Sequence, residues 1–330
     1  MHTFLSIVIP RFKETPKDIF PLLSSISNQV GIDFDDLEIL VCNDGGGAGE
    51  LPEQFLENFS NLSIKQINMQ ENRGPGIARQ TGIDNATGQY LMFCDADDIL
   101  HNVGVLGAMM QEAEKYAPDI LATSWLEEVL VGGEYRYVTH SHENTWMHGK
   151  FLRRQYLLQN NIRHHEQLRV HEDSYLLSLT SAFTNRSRYM DITSYVWKYG
   201  PNSITRRNNA IYTYDSMPTF IYACCEAHKV IEKKIPELME QLTTQLVLYC
   251  YFNFHLPHWT EEKRSIYLHE AENALVKNIK PQVQYLESVS AEEFAQIYSK
   301  ERNRSFAGQV EMETFGDWCR RIGLSEAAGR

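Results

Sequence analysis

The chain is short of positive charge, holds no paired-cysteine motif, and has no apolar run long enough to cross a bilayer. Its 330 residues carry 31 Lys and Arg against 43 Asp and Glu, a net charge of −12. That balance argues against broad binding to nucleic acid, which needs a basic face. Arg153-Arg154 and Arg206-Arg207 leave room only for a local basic groove. The cysteines, Cys42, Cys94, Cys224, Cys225, Cys250 and Cys319, form no CxxC pair. Cys42 and Cys94 fall in apolar runs, as reduced core thiols of a cytoplasmic protein do, which argues against a disulfide frame. The first apolar run, Phe4 to Pro10, is too short for the apolar region of a secretory signal and reads as a strand. The most apolar later stretch, Leu246 to Leu256, is short for a span and contains Asn253 and His255. It reads as a buried helix, so no transmembrane segment is expected. Internal repeats and low-complexity segments are absent as well.

What is present is an alternation of strand and helix signals. Leu5 to Pro10 is a β-branched run stopped by proline, as a buried parallel strand would be. A helix is predicted from Asp18 as N-cap, with Ile19, Leu22, Leu23 and Ile26 as its apolar face and Pro21 in its first turn. Glu38–Cys42, Ser63–Met69 and Gln89–Cys94 read as further strands, and a helix is predicted from Ile77 to Ala86. Val103, Leu106, Met109, Met110 and Ala113 have the spacing of another helix. Ile120–Val131 and Glu134–Thr139 read as two strands of a hairpin turning at Gly132-Gly133. Such alternation predicts an α/β fold with a mostly parallel sheet and helices on both faces. From about Tyr212 helical patterns dominate, through 235–256 and 261–279. The expected division is therefore a catalytic domain over 1–210 and a helical extension over 211–330.

In such sheets ligands bind beyond the carboxyl ends of the strands. Asp44 follows one strand and Asp95-Ala96-Asp97-Asp98 follows another, so both are expected to face one crevice. Three carboxylates within four residues suit a hard divalent cation, which prefers oxygen ligands. On spacing alone the cluster reads first as an acidic cap of the next helix.

The surrounding pieces shift that reading. Ser6-Ile7-Val8-Ile9-Pro10 is followed by Glu38 to Gly45, Asn72-Arg73-Gly74-Pro75-Gly76-Ile77-Ala78-Arg79-Gln80 and Ala86 to Asp98. Then come Gly149-Lys150-Phe151-Leu152-Arg153-Arg154, His171-Glu172-Asp173-Ser174 and Asn202-Ser203-Ile204-Thr205. In this order and spacing, over about residues 4 to 206, the chain resembles family 2 of the inverting glycosyltransferases, which have the Rossmann-like GT-A fold. The resemblance implies transfer of a sugar from a nucleotide-diphosphate donor, most often a UDP-sugar, to a hydroxyl acceptor. It also implies a divalent metal, Mn²⁺ or Mg²⁺.

By position, the resemblance implies that Pro10 and Asp44 line the base pocket and that Arg73 and Arg79 lie near the base or phosphates. Asp95, with Ala96 beside it, would contact the ribose or base side of the donor, and Asp97 would hold the metal with Asp98 nearby. An inverting transfer needs a base for the acceptor hydroxyl, and the family places it at Asp173, with Glu172 in support. Arg11-Phe12-Lys13 departs from the family, which more often has an aromatic residue and then Asn after the proline. Lys150, His171 and Arg206 are candidate phosphate or acceptor contacts, although Lys150 and Arg206 read equally as surface charges. The crowded His140, His142, His148, His164 and His165 match no standard zinc spacing and read as a polar acceptor cleft. Trp146, Trp197 and Tyr199 either stack on sugar or pack in the core.

Two other readings stay open. A nucleotidyltransferase would need a glycine-rich basic loop to grip a triphosphate, and Pro10-Arg11-Phe12-Lys13-Glu14 has no glycine. A non-catalytic sugar-nucleotide-binding or scaffold protein would have no use for intact Asp95, Asp97 and Asp173. The expected partners are a nucleotide sugar and a glycan, lipid-linked or other hydroxyl acceptor. The extension would brace the catalytic domain, bind acceptor or make a homo-oligomer. The expected location is cytoplasmic, including the inner face of the membrane if the acceptor is lipid-linked.

Overall fold

Seven consecutive residues with almost no polar side chain, Leu5-Ser6-Ile7-Val8-Ile9-Pro10-Arg11, are suited to a strand covered on both faces. A computed structural model describes residues 3–47, 49–142, 145–200, 203, 212–255, 260–279 and 313–324. In it this run is β1 (Leu5–Arg11), followed by α1 (Pro16–Ser27) and β2 (Leu37–Asn43). Next come α2 (Glu53–Leu56), β3 (Ser63–Asn68), α3 (Pro75–Asn85), β4 (Tyr90–Phe93), β5 (Ile99–Leu100) and α4 (Val105–Tyr116). The strands β6 (Ile120–Val131), β7 (Glu134–His140) and β8 (Lys150–Arg153) precede α5 (Arg154–Asn160), α6 (Glu172–Ala182) and β9 (Ser187–Trp197).

The strands form one sheet in the order β3-β2-β1-β4-β8-β6-β9-β5, with β7 paired to β6. The half running from β3 to β4 is wholly parallel. Beyond it β8 runs antiparallel to both β4 and β6, whereas β6 and β9 are parallel. Alternation along β1 sends Leu5, Ile7 and Ile9 into a core with Ile19, Leu22, Leu23 and Ile26 of α1 and Leu106 and Met109 of α4. Val8 points the other way, against Gly82 of α3, where a Cβ would lie 2.2 Å from its Cγ1. Helices thus cover both faces, as the sequence predicts.

Some local expectations shift. Helix α1 begins at Pro16, not Asp18, and Thr15 is its N-cap. Asp18 is the third helical residue, and its Oδ2 accepts from the Thr15 backbone N–H at 2.8 Å. It closes the cap from the other side, the reciprocal arrangement of a capping box. Pro21 consequently lies inside the helix, past its first turn. Gly132 and Gly133 both adopt positive φ, 62° and 85°, as the β6–β7 hairpin turn demands.

The chain divides into two units, 1–201 and 202–330. The boundary expected near 210 lies outside the described residues. The described part of the second unit is helical: Met217–Glu232, Met239–Phe254, Glu261–Lys263 continuing through a π-helical turn at Arg264–Leu268 into His269–Ile279, and Phe315–Ile322. Its own core gathers Ile221, Val247, Cys250, Phe254, Leu275 and Trp318. Among the described residues no helix is long and apolar enough to cross a membrane. All six cysteines are free thiols.

Candidate active site

Because β1, β2 and β4 are parallel, their carboxyl ends open on one edge of the sheet. Asp44, just past β2, is buried, and its carboxylate organises the turn that starts α3. Oδ1 accepts from the Arg73 N–H at 2.7 Å, and Oδ2 accepts from the Gly74 N–H at 2.8 Å and the Asn72 side-chain amide at 3.0 Å. Beside it lies a recess of about 170 Å³ lined by Phe12, Asn43, Asp44, Gly45, Asn68 and Met69, among others. The departure at Arg11-Phe12-Lys13 has a structural account here. Arg11 is buried and donates to Asn43 Oδ1 at 2.7 Å and to the Gly49 carbonyl, bracing the recess, while Phe12 supplies an aromatic wall. Pro10, next to last in β1, is half-buried. The exposed Arg73 guanidinium makes no hydrogen bond or ion pair among the described residues.

The acidic turn follows β4. Asp95 is half-buried and receives the Arg79 guanidinium at 2.7 Å. Burial would raise its pKa, but Arg79 prevails and holds it low. Ala96 is buried beneath the turn. Asp97 is an exposed residue whose carboxyl is nonetheless partly shielded from water, and its pKa is pushed up to about 6 by that desolvation and by the nearby Asp95, Glu14 and Asp18 carboxylates. Asp98 is fully buried. It accepts from the Tyr195 hydroxyl at 2.6 Å and the Lys198 N–H at 2.8 Å, and burial beside Asp95 and Asp97 raises its pKa strongly. The Tyr195 hydroxyl also accepts from the Asp95 N–H at 2.9 Å, so one phenol pins both ends of the turn.

Sequence reasoning overlooked Tyr195 and undervalued His148. The His148 ring stacks on Tyr195 at 4.8 Å and meets Trp125 edge-on at 4.9 Å. Burial lowers its pKa to about 4, so the imidazole is neutral at pH 7. Asp95, Asp98 and His148 each offer a ligand atom within 4.8 Å of the others, and no other such group occurs among the described residues. Two carboxylates and a neutral imidazole fit a divalent ion. The excess of acid over the single Arg79 supplies the charge that an ion would balance. Asp97 stands outside this group, at the open rim.

The second pair of carboxylates opens α6, where the helix dipole favours negative charge. Glu172 is buried and accepts from Arg79 at 2.6 Å, so one guanidinium ties it to Asp95 across 77 residues of chain. Asp173 is half-buried, and its pKa is pushed up to about 7 by burial and by Glu172, against the pull of Arg79. His171 precedes the pair in a left-handed conformation, φ 58°, ψ 19°, a non-glycine geometry held only where its surroundings impose it. Helix α3 approaches α6 closely because residue 76 is glycine. A Cβ there would lie 2.9 Å from Glu172 Cβ and Cγ. Gly76→Ala should therefore cost about 1–3 kcal/mol by overpacking, read as a lower urea midpoint. An unchanged midpoint would show that α6 yields freely.

The remaining predicted residues are placed as follows. Lys150 is buried, not a surface charge, and its ammonium donates to the Trp146 carbonyl at 2.7 Å. Arg206 lies outside the described residues. The histidines do not share one cleft wall: His140 stacks on Trp125 at 4.0 Å, His142 on Tyr189 at 3.7 Å, and His164 is buried edge-on to Phe93. Trp146 and Trp197 pack against each other at 5.1 Å beside Trp125. The exposed Arg169, also overlooked, donates to the Asn72 side-chain and backbone oxygens at 2.9 and 3.1 Å. It thereby fastens the segment before α6 to the turn that Asp44 holds.

Residues 6–168 match the family model described as Glycosyl transferase family 2. The glycosyltransferase EpsJ of Bacillus subtilis is 26% identical over 227 residues, covering 62% of this chain and 64% of its own. A GalNAc(5)-diNAcBac-PP-undecaprenol beta-1,3-glucosyltransferase of Campylobacter jejuni is 33% identical over 115 residues, 34% of this chain and 36% of its own. These matches span less than two thirds of either relative's length. Among solved structures, S. aureus TarS in complex with UDP-GlcNAc has a TM-score of 0.68 at 18% identity, covering 92% of this chain and 91% of that one. The mannosyltransferase PcManGT of Pyrobaculum calidifontis, with GDP-Man and Mn²⁺, has a TM-score of 0.53 at 13% identity, covering 98% and 85%. At these identities the likeness is one of fold, the GT-A fold expected from the sequence.

Proposed function

We propose that the chain, whose residues 6–168 match the family 2 glycosyltransferase model, is a glycosyltransferase of that family and transfers a sugar, with inversion, from a UDP-sugar to a hydroxyl acceptor. The observation that carries the reading is the Arg79 bridge. It brings the donor-side Asp95 and the acceptor-side Glu172-Asp173 pair into one crevice at the strand ends. The recess between Phe12 and Asp44 suits a planar base, and Arg73 is free to meet phosphate oxygens. The structures of TarS with UDP-GlcNAc and of PcManGT with GDP-Man support a nucleotide-diphosphate sugar as donor.

In this mechanism Asp173 takes the proton of the acceptor hydroxyl as that oxygen attacks the anomeric carbon, opposite the departing diphosphate. A pKa of about 7 matches such a base to neutral pH. Glu172, held by Arg79, orients the start of α6 and adds the charge that keeps Asp173 basic. Asp95, Asp98 and His148 would hold a divalent ion, with the Asp97 carboxylate at the rim beside them. When bound, that ion neutralises charge on the leaving diphosphate.

The test is hydrolysis of a panel of nucleotide sugars with and without Mn²⁺. Turnover of one donor with Mn²⁺, abolished by EDTA and restored by Mn²⁺ or Mg²⁺, is expected. Full activity in metal-stripped protein would remove the ion from the mechanism. Binding of a nucleotide sugar, seen as a raised Tm, without hydrolysis or transfer would favour a non-catalytic binder instead.

A further inference from the structure

The hairpin β6–β7 gathers exposed apolar surface. Of eleven large hydrophobic side chains exposed among the described residues, five, Leu130, Val131, Tyr135, Tyr137 and Val138, lie in it within nine consecutive positions. Strand alternation puts Tyr135 and Tyr137 on one face, with Leu130 opposite Tyr135 and Glu128 opposite Tyr137. The rings are 60% and 56% exposed, yet they are not loose. Glu128 is buried, and its Oε1 accepts the Tyr137 hydroxyl at 2.8 Å while Oε2 accepts the Tyr199 N–H at 3.0 Å. The Tyr135 ring lies 6.1 Å from that of Tyr199. A carboxylate has been buried to fix a tyrosine whose ring face is left open to solvent. Such a ring has already lost the rotamer freedom that binding would otherwise cost.

The hairpin is also continuous with the candidate active site. At its foot, on the reverse face from Tyr135 and Tyr137, Trp125 is opposite His140 and stacks on it, and Trp125 meets His148, which lies with Asp95 and Asp98. From His140 to Tyr135 is five residues, about 17 Å of strand. We propose that the face carrying Tyr135 and Tyr137 is a binding platform for an uncharged glycan chain, the part of the acceptor remote from the reacting hydroxyl. The proposal rests on the glycosyltransferase reading and names where its acceptor lies. The apolar faces of sugar rings stack on open aromatic rings whose polar tips are engaged elsewhere. Glu128 on this face, with Glu127 and Glu134 against Arg136 on the reverse face, leaves the hairpin acidic, which disfavours an anionic lipid surface and polyanionic glycans. The three exposed apolar side chains of this face, Leu130, Tyr135 and Tyr137, are also far fewer than the roughly 20–30 residues per side of a standard protein interface.

Affinity electrophoresis of the full chain tests this, in gels cast with amylopectin, hydroxyethylcellulose, mixed-linkage β-glucan or galactomannan, and separately with polygalacturonate. Retardation by at least one neutral polysaccharide is expected, falling at least about tenfold in affinity in Tyr135→Ala/Tyr137→Ala, with no retardation by polygalacturonate. Glu128→Gln, which keeps the shape but weakens the hydroxyl's anchor, should give an intermediate loss. No retardation by any neutral polymer, or equal retardation of the double variant, overturns the proposal. So does flotation with phosphatidylglycerol vesicles that the double variant loses, which would make the face a membrane contact. Nucleotide-sugar binding by the wild type, measured by thermal shift, tests the underlying reading separately and is independent of the gels.

Discussion

Replacing Asp173 by Asn is expected to lower transfer by about 10²–10⁴-fold, the usual contribution of a general base, while the nucleotide-sugar Kd stays within about twofold. Asparagine fills the same volume beside Glu172 and Arg79 but cannot take a proton. Wild-type turnover in this variant would remove Asp173 from the mechanism. The pH dependence carries an independent check. Asp173 is pushed up to about 7, and the base acts only when ionised, so kcat/KM should rise as pH climbs through 7 and then level off. Stability runs the other way. The folded state holds this proton more tightly than the unfolded chain does, so its contribution is complete below the ordinary aspartate range and is lost as pH rises through 7. Asp173→Asn should therefore be more stable than the wild type above pH 7, with the difference vanishing near pH 4. A loss of stability above pH 7 would show that the carboxylate is well solvated or well paired.

Replacing Arg79 by Gln should have the largest structural effect of any single change at the site. Arg79 is 7% exposed and neutralises Asp95 and Glu172 at once. Removing one member of a buried ion pair costs about 3–5 kcal/mol, because the remaining charge is left buried without a partner. For a unit of about 200 residues that corresponds to a Tm lower by roughly 10 °C. Arg79→Lys keeps the charge, but a single ammonium cannot serve two carboxylates on opposite sides, so it should recover only part of the loss. A Tm within about 1 °C of wild type in Arg79→Gln would mean that water or rearrangement replaces the bridge.

The parallel half of the sheet could be read from the sequence because its strands are buried on both faces and bounded by turn residues. The location of Asp44 and the Asp95–Asp98 turn at strand ends followed from the same pattern. Strands β5 and β8 could not be read in this way: two and four residues long, they are too short to show a period. Arg79 was picked out as a donor contact from its motif, but its two carboxylate partners are supplied by tertiary packing at separations of 16 and 93 residues. Asp98 was paired with Asp97 because they are adjacent, whereas burial turns Asp98 inward toward Tyr195 and groups it with Asp95 and His148. Tyr195 lies among three consecutive buried residues, Ser194 to Val196, and nothing local signals its hydroxyl. Gly76 announced only a turn, and its closeness to Glu172 depends on how α3 meets α6.

The phenol that joins the Asp95 N–H to the Asp98 carboxylate is supplied a hundred residues later in the chain. During synthesis the four parallel strands from β1 to β4 leave the ribosome first and can pair locally. At that stage Asp98 has neither of its two donors, since Tyr195 and Lys198 are still unmade. A buried carboxylate without donors is costly, so the acidic turn stays hydrated and open until β9 docks. Acquisition of the geometry of this acidic turn is thus a late folding event of high sequence separation. A nascent chain released before residue 198 would carry every acid of the cluster and still lack the scaffold that aims them.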